Sequence, residues 1–232
     1  MIKVNPDLHT LVWGTEDWFN PGKPFEKLLF KIIDAKDKLS VQVHPDDKYA
    51  AAHEDGKLGK TEMWYILGAK PGAQLVYGLK EGITKDDFAA AVEAGTVEET
   101  LNFVDVSKGD IYFITPGLVH AIGEGITLAE LQENVALTYR VYDYNRQPPR
   151  ELHIDKAMDV LDPSIGRRIE GGKLKCEYFS FKEWDVLGEM TCKEDCLIFP
   201  VSGEFGDIAI GELFQASKGD RIFGNGKVLI MK

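Results

Sequence analysis

Short β-rich segments separated by turn residues recur along almost the whole chain, and they constrain its fold more than any other feature. Glycine occurs 23 times and proline 10 times among 232 residues. Segments 62–67, 73–78 and 110–115 combine β-branched and aromatic residues and end at or beside a glycine or proline. Many short strands with frequent turns are typical of β-sandwiches and barrels. The sequence therefore predicts an all-β protein.

Helical signals are few and local. Thr84-x-x-Asp87 and Thr96-x-x-Glu99 have the pattern of capping boxes, which predicts two short helices at about 84–94 and 97–101. A third helix is predicted at 155–161, where Asp162-Pro163 would end it. These segments indicate helices inserted between strands.

Composition and charge exclude several classes of function. Apolar residues make up 44% and charged residues 28% of the chain, as in soluble globular proteins. The formal charge of −11 disfavours nucleic acid as a partner, since phosphates require basic patches. No apolar run approaches the roughly 20 residues of a membrane helix, and residues 1–10 lack a signal peptide's apolar core. We expect a cytoplasmic protein that binds neither nucleic acid nor membranes, with its three cysteines as free thiols.

The segment 39–47 carries a possible metal-binding strand. With a period of two, its apolar and polar side chains fall on opposite faces. Side chains two apart on a strand lie roughly 6–7 Å from each other, so an amide oxygen and an imidazole nitrogen can approach one ion at about 2 Å. The apolar face is Leu39, Val41 and Val43, and the polar face is Ser40, Gln42 and His44.

Two further side chains occur in suggestive positions. His120 follows the Pro116-Gly117 turn after a predicted strand, and Glu62 begins the strand after a polar loop. With Gln42 and His44 they would supply two nitrogen and two oxygen ligands. Such a set suits Zn²⁺, and also Fe²⁺, Mn²⁺, Co²⁺ or Ni²⁺. The alternative is structural histidines and a surface acid.

Together these motifs resemble those of the cupin superfamily. The fuller strings resemble the type I mannose-6-phosphate isomerase family in its short bacterial form, with a convincing similarity over about residues 25–162. The strings are Leu39-Ser-Val-Gln-Val-His-Pro-Asp-Asp47, Lys60-Thr-Glu-Met-Trp-Tyr65, Thr115-Pro-Gly-Leu-Val-His-Ala-Ile122 and Tyr139-Arg-Val-Tyr-Asp-Tyr-Asn-Arg146. The family's Gly-Glu-x-Trp string is reduced here to Glu16-x-Trp18.

The resemblance implies roles for individual residues. It implies one zinc ion held by Gln42, His44, Glu62 and His120. It implies Arg140 as an essential active-site arginine. The positions that would line the substrate site are Ser40, Lys60, Glu130 and Arg146.

The resemblance also implies a fold of two jelly-roll units, a double cupin. We expect a metal-binding unit at 1–147 with a helical insert at about 84–101, a helical connector at 148–171, and a degenerate second cupin at 172–232. The string Ser-Lys-Gly-Asp occurs at 107–110 and again at 217–220, which indicates two copies. The second copy lacks a histidine after this string, so we expect no metal there.

The implied reaction interconverts mannose 6-phosphate and fructose 6-phosphate by moving a proton between C1 and C2. A metal centre and Arg140 would stabilise the developing oxyanion, and Lys60 or Glu130 would carry the proton. The phosphate would contact Arg146, Lys60 or Arg140, with Ser40 as a neutral donor. We expect a monomer or homodimer.

Two other functions remain open from the sequence. Two histidines and one carboxylate can form the iron site of a cupin oxygenase. A sugar-binding cupin without turnover is the other alternative, which the shortened N-terminal segment motivates. His53 and His153 are expected at the surface or in structural roles, and the Trp64-Tyr65 pair in the core.

Overall fold

The computed structural model describes residues 1–163, 167–169 and 171–232, and of residues 167 and 168 it describes the backbone. Its described part is mostly β, which confirms the all-β expectation. The strands, in chain order, are β1 (Ile2–Val4), β2 (Asp7–Leu11), β3 (Gly14–Phe19), β4 (Leu28–Ala35), β5 (Val41–Val43), β6 (Glu62–Ala69), β7 (Gln74–Leu79), β8 (Leu101–Asp105), β9 (Ile111–Ile114), β10 (His120–Ile122), β11 (Ile126–Glu133), β12 (Tyr139–Tyr142), β13 (Arg167–Ile169), β14 (Lys173–Lys175), β15 (Ser180–Thr191), β16 (Cys196–Phe205), β17 (Leu213–Ala216) and β18 (Arg221–Met231). The helices are α1 (Asp47–His53), α2 (Lys85–Ala94) and α3 (Ile154–Val160).

The described strands form three antiparallel sheets. The central sheet has the order β13-β9-β6-β11-β4-β3-β2, and the front sheet has the order β12-β5-β10-β7-β8. The C-terminal sheet has the order β1-β17-β16-β18-β15-β14. Because β1 pairs with β17, the first strand of the chain belongs to the C-terminal sheet.

Alternation along the strands divides the core into layers. One face of the central sheet packs on the front sheet, with Ile33 and Trp64 buried between them. Its other face packs on the C-terminal sheet through residues such as Phe30 and Phe199. The outer face of the front sheet is covered by the helices, which bury Phe88 and Ala157.

The helix boundaries follow local chemistry. Asp46 caps α1 by accepting from the Tyr49 amide, and the predicted capping box between Thr84 and Asp87 is present at α2. The second predicted capping box is wrong. Residues Val97–Glu99 form a 3-10 turn, and the Thr96 side chain makes no capping hydrogen bond. The Glu99 amide at N3 donates instead to Thr96 O at 3.0 Å, as in a 3-10 turn, and is therefore not donated to the Thr96 hydroxyl.

The segment before the predicted metal strand also differs from the expected simple alternation. The strand β5 is three residues long, and Leu39 lies outside it. Leu39 packs into the interior between the sheets, whereas Val41 and Val43 face the helices. The Leu39 amide donates to Ile122 O on the neighbouring strand, so the chain enters β5 with a different orientation.

The two Ser-Lys-Gly-Asp strings form the same turn. The Ser107 amide donates to the Asp110 carboxylate at 2.9 Å, and the Ser217 amide donates to the Asp220 carboxylate at the same distance. Each turn leads directly into a strand, β9 and β18 respectively. The division into units at 1–147, 148–171 and 172–232 stays a proposal, and residues 164–166 and 170 of its middle segment lie outside the described part of the chain.

Candidate metal centre and active site

Side chains from facing sheets meet between the central and front sheets. Glu62 begins β6 of the central sheet, while Gln42 on β5 pairs directly with His120 on β10 in the front sheet. His44 follows β5 at once. The side chains of Glu62, His44 and His120 are completely buried. The packing of the two sheets therefore brings together residues that are up to 78 positions apart in the chain.

The distances within this cluster are those of a ligand set. His44 Nε2 lies 3.7 Å from Glu62 Oε2, and His120 Nε2 lies 3.5 Å from Glu62 Oε1. One ligand atom from each of the three residues lies within 4.8 Å of the others. Tetrahedral ligands about 2.1 Å from a zinc ion would lie about 3.4 Å from each other. The two carboxylate–imidazole separations are therefore close to those between ligands of one divalent ion.

Unpartnered buried atoms support the same conclusion. Among the described residues, both ring nitrogens of His44 and Glu62 Oε1 are buried without a hydrogen-bond partner. Buried polar atoms without partners are costly, and a bound cation would satisfy Glu62 Oε1 and one of the two His44 nitrogens. The ring of His120 is oriented by its Nδ1 atom, which lies 2.9 Å from Leu118 O. A proton on Nδ1 leaves the Nε2 lone pair directed at the cluster.

Gln42 lies beside this cluster. Its side-chain nitrogen is 3.3 Å from His120 Nε2. The oxygen and nitrogen of a carboxamide exchange places by a half-turn of the amide group. The position of Gln42 therefore fits a fourth ligand through its oxygen.

The electrostatics of the cluster favour cation binding. Burial and the nearby Lys60 ammonium lower the pKa of His44 to about 3, so its imidazole is neutral. Burial also lowers the pKa of His120. Burial alone would raise the pKa of Glu62, but Lys60 and the two imidazoles outweigh it and hold this pKa well below its ordinary value. Two neutral imidazoles and a carboxylate are the protonation states that a metal requires.

A row of alternating charges extends from the cluster along the inner face of the central sheet. Lys60 Nζ lies 2.7 Å from Glu62 Oε2 and 3.9 Å from Glu130 Oε1. Lys31 Nζ lies 3.0 Å from Glu130 Oε1 and 3.9 Å from Glu16 Oε2. Each of the five is less than 9% exposed. We call them the charged row: Glu62, Lys60, Glu130, Lys31 and Glu16.

Strand register and tryptophans hold the charged row in place. Glu130 on β11 pairs with Lys31 on β4 and with Trp64 on β6, so the three side chains share one face. The Trp64 indole donates to Glu130 Oε2 at 2.8 Å. The Trp18 indole donates to Glu16 Oε2 at 2.7 Å. Burial of these carboxylates is thus offset by hydrogen bonds as well as by opposite charges.

A cavity of about 250 Å³ opens over the charged row. Arg140 on β12 borders it and donates through Nε to Ser40 Oγ at 3.2 Å and through Nη1 to Glu151 O at 2.8 Å. Burial and the nearby Arg150 lower the pKa of Arg140. The charged and polar lining residues are Glu16, Lys31, Ser40, Gln42, Lys60, Glu130, Thr138, Arg140 and Arg150.

Most of the predicted site residues therefore lie together. The four predicted ligands form one cluster, and Ser40, Lys60, Glu130 and Arg140 border the adjoining cavity. Arg146 does not border it. It contacts Asp37 at 2.9 Å and Asp143 at 3.2 Å instead.

Sequence reasoning missed two cations that border the cavity. Lys31 interrupts an otherwise apolar run at 28–33 of β4, and this position is the available signal. Arg150 follows two prolines in a loop and carries no comparable signal. Glu16 and Trp18, the reduced family string, reach the same cavity. Trp64 borders it too, although it was expected in the core alone.

The remaining histidines and cysteines lie elsewhere. His53 stacks on Tyr49 with ring centroids 4.1 Å apart, and His153 lies next to the backbone of Arg140. All three cysteines are free thiols. None of the described helices is both long and apolar enough to span a bilayer.

A family model and a curated protein sequence both match this chain. The family model described as "Phosphomannose isomerase type I, catalytic domain" matches residues 19–71. Mannose-6-phosphate isomerase ManA of Bacillus subtilis (strain 168) is 40% identical to this chain over 215 residues, which cover 84% of this chain and 68% of that protein.

Solved structures extend the likeness to the whole chain. The crystal structure of a mannose 6-phosphate isomerase from Bacillus subtilis superposes with a TM-score of 0.87 at 26% identity, covering 100% of this chain and 99% of that one. A mannose 6-phosphate isomerase described as bound with zinc and yttrium shares the fold, with a TM-score of 0.69 at 12% identity over 99% of this chain and 98% of that one. The chain belongs to the type I mannose-6-phosphate isomerase family, with a cupin fold.

Proposed function

We propose that this chain interconverts mannose 6-phosphate and fructose 6-phosphate by proton transfer between C1 and C2, with one zinc ion as its cofactor. The observation that carries the proposal is the convergence of Gln42, His44, Glu62 and His120 beside a cavity. Gln42 itself borders this cavity, as do four members of the charged row, Glu16, Lys31, Lys60 and Glu130. Family membership supports the same substrate and reaction class.

The proposed ligands suit zinc because two imidazoles, one carboxylate and one amide oxygen are borderline ligands in a tetrahedral arrangement. When bound, the ion would supply Lewis acidity for sugar oxygens. A related isomerase of the same fold, described with bound zinc, supports this choice of metal.

Proton transfer falls to Lys60 and Glu130 in this proposal. Their Nζ and Oε1 atoms are 3.9 Å apart, and both side chains border the cavity and are nearly closed to solvent. A proton removed from one sugar carbon can therefore be retained on the protein until it returns to the neighbouring carbon. The ion pair of Glu130 with Lys31 orients the carboxylate during this exchange.

Arg140 would supply fixed positive charge for the oxyanion that develops when the proton leaves. Its guanidinium is held by Ser40 and by the Glu151 carbonyl, so it needs little reorganisation in the transition state. Ser40 and Lys60 are proposed to contact substrate directly. The substrate-binding role of Arg146, the cytoplasmic location and the monomeric or homodimeric state remain predictions from the sequence.

A coupled isomerase assay over a panel of sugar phosphates, with the protein before and after chelation, tests the proposal. We expect turnover of mannose 6-phosphate that chelation removes and zinc restores. Binding of sugar phosphates without interconversion by the zinc-loaded protein would contradict the proposal. Oxygen consumption by the iron-loaded protein without isomerase turnover would contradict it as well.

A further inference from the structure

Three arginines lie within eleven residues of one another, on the edge strand β12 of the front sheet and in the loop that follows it. Arg140 is on β12, and Arg146 and Arg150 follow it in a loop. All three side chains are near the Asp143 carboxylate. Arg140 and Arg150 border the cavity over the charged row, and Arg146 does not.

Arg146 is occupied by the protein itself. Its Nη2 atom donates to Asp37 Oδ2 at 2.9 Å and to Lys38 O at 2.8 Å. Its Nη1 atom donates to Asp143 Oδ1 at 3.2 Å. With both terminal nitrogens engaged by acids and a carbonyl, Arg146 has little capacity left for an anion in the cavity.

The guanidinium group of Arg150 contacts other residues along one edge and on one face only. Its Nε atom donates to Asp143 Oδ2 at 2.7 Å, and its Nη2 atom also contacts Asp143. The guanidinium carbon lies 4.6 Å from the ring centroid of Trp13. Within the described residues, Nη1 of Arg150 makes no hydrogen bond or ion pair. The group is thus held rigidly while donors remain free at the cavity wall.

The charges around this wall are not balanced. Arg146 and Arg150 share the carboxylates of Asp37 and Asp143, and Arg140 has no carboxylate within ion-pair distance in the described residues. Arg140 therefore adds a positive charge at this wall that no ion pair among the described residues neutralises. A phosphate monoester carries close to two negative charges at neutral pH. Planar guanidinium groups bind its oxygens through paired N–H donors.

We propose that Arg150 makes the contact with the substrate phosphate, and that Arg146 acts indirectly by fixing the Asp143 carboxylate that orients Arg150. This proposal rests on the proposed function, since it names the residue that recognises the phosphorylated end of that substrate. The phosphate contact is thus assigned to Arg150 in the loop after residues 139–146, and not to Arg146.

Steady-state kinetics of Arg150→Ala and Arg221→Ala test this inference. Arg221 is a surface arginine of the C-terminal sheet paired with Glu189, so its removal is a matched loss of one positive charge. We expect Arg150→Ala to raise KM for mannose 6-phosphate by about 10- to 100-fold, the range for losing a hydrogen bond to a charged group, with a much smaller change in kcat. The same variant should weaken competitive inhibition by inorganic phosphate by a similar factor. Arg221→Ala should match the wild type.

Two further variants make the result decisive. Arg150→Lys keeps an ion pair with Asp143 and one positive charge, so KM should lie between those of the wild type and Arg150→Ala. This variant carries the test if the alanine variant fails to fold. An unchanged KM in Arg150→Ala, or a larger rise in KM for Arg146→Ala than for Arg150→Ala, would overturn the assignment.

A failure of this inference differs from a failure of the proposed function. Turnover with an unchanged KM in the Arg150 variants would contradict the phosphate contact alone. Absence of turnover in the wild type would contradict the proposed function. In that case calorimetric titration with inorganic phosphate still decides the assignment, because binding to the wild type should weaken in Arg150→Ala.

Discussion

His120 is the predicted ligand whose orientation is most restricted. Its Nδ1 atom is held at Leu118 O, and the edge of its ring packs against Trp64 with centroids 5.4 Å apart. A ligand fixed in this way contributes affinity without needing to be ordered on binding. Substitution of His120 is therefore a sensitive test of the proposed metal site.

We expect His120→Ala to lose metal and isomerase turnover together, because three protein ligands would replace four. Metal content of the purified protein, measured by mass spectrometry, checks this. His53→Ala is the matched control, since it removes an exposed histidine outside the site. Full zinc occupancy in His120→Ala would show that the cluster does not hold the metal.

Arg140 should separate metal binding from turnover. In Arg140→Ala the four proposed ligands remain, so metal content should equal that of the wild type. The fixed charge beside the reacting atoms is lost, and kcat should fall by about 10²- to 10³-fold, as for other removed oxyanion donors. An unchanged kcat would remove Arg140 from the mechanism.

Glu133 should make stability depend on pH. It is 3% exposed, and burial raises the pKa of its carboxyl to about 7 although it accepts a hydrogen bond from the Thr61 amide. As pH rises from about 4.5 to 7, the unfolded chain ionises this group before the folded chain does. The unfolded state is therefore favoured, and stability is lost with rising pH across this window.

We expect Glu133→Gln, which keeps the acceptor for Thr61, to gain stability relative to the wild type between pH 5 and pH 8. The gain should be about 1–2 kcal/mol after allowance for screening near the surface. Urea unfolding at both pH values measures it. Curves that stay parallel over this interval would show that Glu133 ionises alike in the folded and unfolded chains.

At the scale of elements, the site depends on how closely β10 approaches its neighbours. Gly123 directly follows this strand, and a Cβ atom there would lie 2.0 Å from Gln74 O at the start of β7. The atoms nearest to this position all belong to the backbone of Gln74, so no flexible side chain could move to make room for the Cβ atom. The glycine thus permits the contact that places His120 opposite Tyr77 and Gln42.

Gly123→Ala should push β10 away from β7, lower the free energy of unfolding by about 1–3 kcal/mol as in other overpacked sites, and reduce zinc affinity. Chemical denaturation and zinc titration measure the two effects. Gly68→Ala is the control, because nothing lies within 4 Å of a Cβ atom at that position. Equal behaviour of the two variants would mean that the strand spacing is not critical.

At the scale of the whole molecule, the C-terminal sheet is joined to the central sheet by an aromatic core. Phe199 on β16 is 2% exposed, and its ring centroid lies 5.0 Å from that of Phe30 on β4. Tyr65 on β6 adds a hydrogen bond of 2.8 Å to Glu183 on β15. The back of the central sheet is therefore covered by the C-terminal sheet rather than by solvent.

Phe199→Ala should cost about 3–5 kcal/mol of unfolding free energy by leaving a cavity between the two sheets. Phe223→Ala, in the same sheet but 45% exposed, should cost far less. Thermal and urea unfolding of the two variants compare them. Similar losses would indicate that the two sheets unfold independently of each other.

The sequence by itself determined the β class, the helix start capped by Thr84, the family and the residue types of the candidate metal cluster, because these depend on local periodicity, capping chemistry and short motifs. Contacts between distant segments required the tertiary structure. The charged row arises from the register of β3, β4, β6 and β11, so Lys31 and Glu16 had no local signal of their partnership. The same holds for the arginines. Their side chains are chemically alike, and whether Arg146 or Arg150 borders the cavity is decided by which carboxylates and aromatic rings the fold places beside each of them.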